Sequence, residues 1–333
     1  EPMSYEKQIY DRAEAELNQR RFNAENEQRI RMAAVEKEIP EIREIYSRLS
    51  QTIVEISKLI ISKSGDFKEN FNRIKEQNLQ GQQLAETLLT SHGYPADYLS
   101  TKYTCPICND RGFVNGERCS CFTRLLNKYS IDKLNESANM PQCDFEHFSL
   151  DFYRGITAVN GQDCYEIMSQ VYDFCTNYAK RFSLKSESLF MYGQTGVGKT
   201  HLSLAIAKEA AEKGYTVAYG SLINYLTIIE KEHFGRAADS GSDTMELLIN
   251  TELLVLDDLG SEFNTGFYES ATYNIINSRI NLGLPTIINT NLTIDELQKK
   301  YNDRIISRIF GVYTTLCLMG QDVRQIKRLK GLN

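Results

Sequence analysis

The octapeptide GQTGVGKT at 193–200 limits what this chain can fold into more than any other stretch of it. It matches G-x-x-x-x-G-K-[ST] without departure. It also stands between SLFMY (188–192), a short β-type run, and KTHLSLAIAKEAAEKG (199–214), an amphipathic helix that stops at Gly214. A strand, a glycine-rich turn and a helix in that order let backbone N–H groups and the positive helix end surround a phosphate. Gly193, Gln194, Thr195, Gly196, Val197, Gly198, Lys199 and Thr200 form the expected cradle, with His201 closing the run and given no separate role. Lys199 is expected to reach the β- and γ-phosphates, and Thr200 to ligate magnesium through its hydroxyl.

The residues downstream narrow the chemistry. TVAYG (216–220) reads as a second strand, and ELLVLDDLGSE (252–262) as a third with Asp257 and Asp258 at its end. An acidic residue closing a buried strand completes a magnesium shell, so Asp257 takes that part, while Asp258 stands where a base polarises water. Glu262 is a second candidate for that work, and capping of the next helix is the plain alternative for the aspartate pair. PTIINTNL (285–292) supplies a fourth strand ending at Asn291, whose amide would touch the γ-phosphate or the attacking water. The fold class expected from these elements is α/β, a parallel sheet flanked by helices.

Ahead of this module the pattern changes. Val35, Ile39, Ile42, Tyr46, Leu49, Ile53, Ile56 and Ile60 recur at steps of four and three, the spacing of a coiled-coil seam. Pro40 removes a backbone donor and starts a second helix or kinks the first. Residues 4–34, rich in Glu, Arg, Gln and Ala, read as a polar helix; Phe67, Phe71, Ile74, Leu84, Leu88 and Leu89 outline another, which SHGYP (91–95) ends. Such a stripe either packs on its sister helices or offers a face to another protein. At 333 residues with 41% hydrophobic content, the chain has room for two or three domains.

Between arm and module lies YTCPICNDRGFVNGERCSCF, which carries Cys105, Cys108, Cys119 and Cys121. A C-x2-C and a C-x-C pair, with Gly112 and Gly116 in the turn between them, wrap tetrahedrally round one zinc ion. Four sulfurs leave no open position, so the role is structural. An iron–sulfur cluster uses the same ligands and stays open; disulfides are disfavoured in a cytosolic chain. Cys143, Cys164, Cys175 and Cys317 are scattered and read as small buried hydrophobes. The aromatic cluster Phe145, Phe148, Phe152 and Tyr153 either packs or flanks a nucleotide base.

A net charge of -6 and a pI near 5.5 exclude a protein whose main business is coating nucleic acid, although a local basic strip is compatible with them. No apolar run approaches the roughly 20 residues of a membrane span and no charged-then-apolar leader opens the sequence, so the expected location is cytoplasmic, without membrane contact. Glu1-Pro2 ahead of Met3 is set apart from the fold.

The order of P-loop, LLVLDD, TIINTNL, RIISRIF and a late G-x-D-x-R resembles an AAA+ ATPase, specifically the bacterial DnaC/DnaI-type replicative helicase loaders. HGYPADYL and the CPIC…CSC knot resemble the helicase-binding amino-terminal region of the DnaI type, and residues from about 140 onward resemble the shared ATPase module. The resemblance implies ATP, Mg2+ and Zn2+ as cofactors, a replicative hexameric DNA helicase and single-stranded DNA as partners, and self-association through the ATPase domain. It also implies Asn291 as the first sensor, Arg308 as the finger that enters a neighbouring subunit's nucleotide site, Arg324 as the second sensor, and slow hydrolysis because Asp258 stands where Glu is usual. Arg304, four residues from Arg308 on the same helix face, competes for the finger's part. Single-stranded DNA would meet the insertion after the second strand, with Tyr225, Lys231, Phe234 and Arg236 mixing stacking and phosphate contact, while helix packing explains Tyr225 equally well. Arg324, Lys327, Arg328 and Lys330 in the tail would favour nucleic acid or cap a helix end.

The domain boundaries expected on this reading are 3–98 for a helicase-binding arm, 99–125 for a zinc knot, 126–160 for a linker and 161–333 for the ATPase. Two other readings share the motor: a transposition-helper ATPase of the IstB type, against which residues 1–121 argue, and an adaptor whose nucleotide is structural only. A small-molecule kinase would leave Arg308 and Arg324 without a shared site to complete.

Overall fold

The computed structural model describes residues 5–62, 67–137, 143–158, 161–234 and 244–331. They form two compact units: residues 13–123, and residues 1–12 with 124–333.

The first unit is built on α1 (Lys7–Glu38), α2 (Pro40–Ser62) and α3 (Phe67–Ser91). Pro40 opens α2 at the position where a missing N–H costs nothing, so it starts a helix. Val35, Ile39, Ile42 and Ile45 are buried with Ala85, Leu89 and Leu99, and Tyr46 and Leu49 flank them. The seam's partner is therefore α3 of the same chain. The side chains of Ile53, Ile56, Ile60 and Phe67 lie outside the described ones. At Gly81 an added Cβ would come 3.0 Å from Leu49, so glycine permits the close approach of α2 and α3. α3 ends where SHGYP foretells, with the Tyr94 N–H donating to the Leu89 carbonyl at 2.9 Å. A two-residue hairpin, β1 (Phe113–Val114) with β2 (Glu117–Arg118), and the start of α4 (Ser120–Ser137) follow.

The second unit holds α5 (Cys164–Arg181) and a five-stranded parallel sheet. Its strands are β3 (Leu189–Tyr192), β4 (Val217–Ser221), β5 (Leu253–Leu259), β6 (Thr286–Thr290) and β7 (Thr314–Cys317), in the order β4-β5-β6-β3-β7. The P-loop strand β3 thus sits between β6 and β7, inside the sheet. β7 was not foreseen, because TTLC is a short run directly after a helix, with no turn residue to announce it. One face is covered by α5 and α6 (Lys199–Glu212), which bury Met168, Cys175, Leu202 and Ile206. The other is covered by α7 (Leu222–Phe234), α8 (Thr244–Asn250), α9 (Gly266–Leu282) and α11 (Asp303–Val312), with α10 (Ile294–Lys300) between the last two. Burial on both faces explains why LLVL in β5 reads as a continuous apolar run.

This is the expected α/β class, a parallel sheet flanked by helices on both faces. Arg279 staples its lower edge: the fully buried guanidinium donates to the carbonyls of Leu248, Thr251 and Pro285 and to Thr286 Oγ1, at 2.7 to 2.8 Å. Of the expected linker 126–160, Phe145 and Tyr153 lie in the core of the second unit. Cys164 and Cys175 are buried as expected, whereas Cys143 and Cys317 are only half-buried. Among the described residues no helix is long and apolar enough to cross a membrane.

Candidate nucleotide site and cysteine cluster

The P-loop leaves β3 at Gly193 and enters α6 at Lys199. Two glycines are obligatory there. A Cβ on Gly193 (φ +153°) would lie 2.2 Å from the Leu318 carbonyl oxygen, and one on Gly196 (φ +81°) 2.1 Å from Asp322 Oδ1. The loop is braced from both sides: Val323 N–H donates to the Gly196 carbonyl and Tyr153 O–H to the Val197 carbonyl, each at 3.0 Å. Lys199 Nζ donates to the carbonyls of Gly193 and Gln194 at 2.7 Å. Burial pulls its pKa down to about 8, against the attraction of Asp257 and Asp258. The ammonium is held at the mouth of the loop and is still charged near neutrality.

Thr200 Oγ1 donates to the Asp257 carboxylate at 3.0 and 3.2 Å. Asp257 is itself buried, taking Asn289 Nδ2 on Oδ1 at 2.9 Å and the Tyr219 hydroxyl on Oδ2 at 3.2 Å. A hydroxyl and a carboxylate side by side are the hard oxygen donors that magnesium takes, so Thr200 and Asp257 fit that ion. Asp258 differs from its neighbour. It sits at φ +57°, where the β5–β6 register shifts between Leu256 and Leu259, and its Oδ1 accepts from Asn291 Nδ2 at 2.9 Å. Burial first, and then the Asp257 charge, raise its pKa; Asn291, Lys199 and Arg324 oppose the rise. Gln194 and Asn291 border a cleft of about 640 Å³ together with Gly193 and Gln321.

Arg324 lies in α12 (Val323–Leu329), capped by Asp322, whose Oδ1 accepts the Arg324 N–H at 2.9 Å. Its positive charge is felt at both Lys199 and Asp258. Arg304 and Arg308 are not brought to this site: both are exposed on α11, whose opposite face buries Ile305, Ile306 and Ile309. Neither makes an ion pair among the described residues.

Several expected residues have other employment. His201 Nε2 pairs with the Asp144 carbonyl at 2.7 Å and meets Phe148 edge-on, so it packs the loop's flank. Glu262 is buried, bonded to the Gly260 N–H at 2.9 Å, to the Tyr301 hydroxyl and to Lys300, which removes it as a candidate base. Tyr225 is a correction too. It is buried at 2% exposure, with its ring against Gly220, and offers no face for stacking. Lys231 is exposed, and Phe234 is 66% exposed beside His233 and Phe267; Arg236 lies outside the described residues. Phe148 stacks on Tyr153 and Tyr172, which is packing. Tyr219 and Asn289 were missed, although both carried a signal as polar residues inside otherwise apolar strands.

The Sγ atoms of Cys105, Cys108, Cys119 and Cys121 lie within 4.8 Å of one another. Tetrahedral zinc with bonds of about 2.3 Å needs sulfurs roughly 3.8 Å apart. Cys105 and Cys119 are at 3.8 Å, and Cys108 and Cys121 at 3.3 Å. The backbone N–H of Cys108, ahead of other donors, draws Cys105 down to about 7, while burial pushes the Cys121 thiol up. Asp110, fully buried, holds the turn by accepting the N–H groups of Thr104 and Cys105 at 2.8 Å. The four thiols fit a single zinc ion.

Residues 177–310 match the family described as IstB-like ATP binding protein. The chain is 31% identical over 137 residues to the replicative helicase loader DnaI of Bacillus subtilis (strain 168), covering 40% of this chain and 42% of the relative. It is 23% identical over 186 residues to the replicative helicase loader DnaC of Escherichia coli (strain K12), covering 56% of this chain and 68% of the relative. It thus spans less than half the length of the first relative and about two thirds of the second. A crystal structure of the DnaC helicase loader superposes with a TM-score of 0.42 at 22% identity, over 53% of this chain and 98% of that one. Residues 177–310 are thus similar to the IstB-like ATP binding family, and the chain is similar over part of its length to the replicative helicase loaders DnaI and DnaC.

Proposed function

We propose that this chain is an ATP-dependent loader that binds a replicative DNA helicase and helps to place it on single-stranded DNA. The observation that carries the ATPase half is the joint placement of Lys199, Thr200 and Asp257 at one loop, with the Asp258–Asn291 pair beside them. In this reading the loop amides and Lys199 bind the phosphates, and Thr200 and Asp257 hold magnesium. The metal draws charge from the γ-phosphate. Asp258 takes the proton of the attacking water and Asn291 orients that carboxylate. Arg324 adds positive charge from the same chain, and Arg308 or Arg304 supplies it from a neighbouring copy. An exposed arginine with no ion pair of its own among the described residues supports a finger acting in trans, so hydrolysis would report assembly. The arm, braced by zinc, is the part that meets the helicase.

The test is the native mass of the full chain mixed with a hexameric replicative helicase, with and without Mg-ATP. A complex whose stoichiometry depends on nucleotide is expected, and Lys199→Ala should abolish that dependence. No association under either condition would sink the loader reading. The family match also favours a second reading, a transposition helper, which would instead retain a transposase and not a helicase.

A further inference from the structure

In the sheet order, β4 is an edge strand, with β5 on one side and, among the described residues, no strand on the other. An open edge leaves backbone donors and acceptors without strand partners. Asn135, in the last turns of α4, fills two of these places. Its Nδ2 donates to the Val217 carbonyl at 2.7 Å and its Oδ1 accepts the Tyr219 N–H at 3.0 Å. A primary amide carries the same donor and acceptor as a peptide unit, so this one side chain imitates one residue of a missing strand. The residue it grips matters. Tyr219 is register partner to Val255, two residues before Asp257 on the same face, and its buried ring reaches forward so that the hydroxyl donates to Asp257 Oδ2.

The oxygens of Asp257 are shared among three neutral donors: Thr200, Tyr219 and Asn289. Once Thr200 turns its hydroxyl oxygen towards a metal, Tyr219 and Asn289 are what orient the carboxylate. Outer partners of this kind set the direction of a metal ligand's lone pairs, and losing one weakens metal binding about 10- to 100-fold. We infer that Tyr219 is a positioning residue for the metal-holding carboxylate of Asp257, kept in reach by the Asn135 clamp on β4. The inference rests on the nucleotide reading above and adds an input to it: a shift in the end of α4 would be felt as a change in magnesium affinity.

The experiment is a Mg2+ titration of fluorescent ATP analogue binding by the full chain, with each variant's affinity in EDTA as its baseline and its melting followed in parallel. Tyr219→Phe removes one oxygen and keeps the ring. It is expected to raise the half-saturating Mg2+ concentration about tenfold. Asn135→Ala should raise it severalfold in the same direction. Asn135→Asp, which keeps the acceptor for Tyr219 N–H and loses the donor to Val217, covers the case in which the alanine variant fails to fold. Because both residues act through one carboxylate, the double variant should shift no further than Tyr219→Phe alone. If Tyr219→Phe titrates like the wild type, or the two shifts multiply, the inference is overturned while the nucleotide reading stands. If the wild type itself shows no Mg-dependent nucleotide binding, the nucleotide reading falls and takes the inference with it.

Discussion

In the motor, Leu253, Leu254, Val255 and Leu256 of β5 are all completely buried, because helices cover both faces of the sheet. In the arm, a seam from Val35 to Ile45 meets α3, Leu17 and Phe122 are buried close to Gly112, and Phe22, Ile30, Leu79 and Leu84 stay more than half exposed. The second unit has a core on each side of its sheet; among the described residues of the arm, small apolar clusters lie beside four clustered thiols. Apolar area sets how much folding free energy a unit draws from burial, and small units with little of it depend on a staple. The contrast teaches that the two units should fail separately and for different reasons.

If the four thiols hold zinc, as their spacing fits, removing it gives the largest expected effect. Sites of this type tie roughly 10–16 kcal/mol of binding free energy to folding. A tight zinc chelator, or Cys105→Ser, should therefore abolish hydrogen-exchange protection around 99–125 in the full chain and leave that of β3, β5 and β6 intact. Equal loss in both regions would break the comparison, since the motor would then depend on the knot as well.

A cavity in the seam comes next. Leu89 is 1% exposed among Val35, Ile39, Ile42 and Leu99, and Leu89→Ala should cost about 2–5 kcal/mol. In a unit this thinly packed, that is enough to produce an arm transition well below the motor's in calorimetry, with ATP affinity retained. The same truncation at Leu256 should instead lower the motor transition and weaken nucleotide binding. A single cooperative transition in both variants would show that the units are not independent.

How much was readable in advance follows the same division. The P-loop, Asp257, Asp258 and Asn291 stand out in the sequence because phosphate and metal chemistry demand particular residues at short fixed spacings, and in the structure Thr200 bonds to Asp257 and Asn291 to Asp258. The Pro40 start of α2 and the Gly93 stop of α3 were legible from backbone restrictions alone. Tyr219 and Asn289 showed only as polar residues in apolar strands, since the carboxylate they serve is set by strand register across the sheet, which no local spacing encodes. For Tyr225 the structure decides for packing over stacking: Leu222, Tyr225, Leu226 and Ile229 fall on one helical face, the face α7 buries. Arg304 and Arg308 are legible as exposed cations, but a site completed by a second copy is not contained in one chain.

The smallest expected effect sharpens the comparison by pH, because the motor's chemistry is set by carboxylates and the arm's by thiols. Asp258 has its pKa raised by burial and by Asp257, and only its ionised form can accept a proton from water. Hydrolysis should therefore decline on acidification from a higher pH than an ordinary carboxylate would give, while arm folding follows the thiols. Asn291 donates to the charged form, so Asn291→Ala should move the acid limb upward again. Beyond whatever rate that variant loses at pH 8, the added loss within the limb should be about fivefold, the worth of one hydrogen bond of roughly 1 kcal/mol. If the limb stays fixed in Asn291→Ala, or survives in Asp258→Asn, the titrating group is not Asp258, and the base must be sought elsewhere round the cleft.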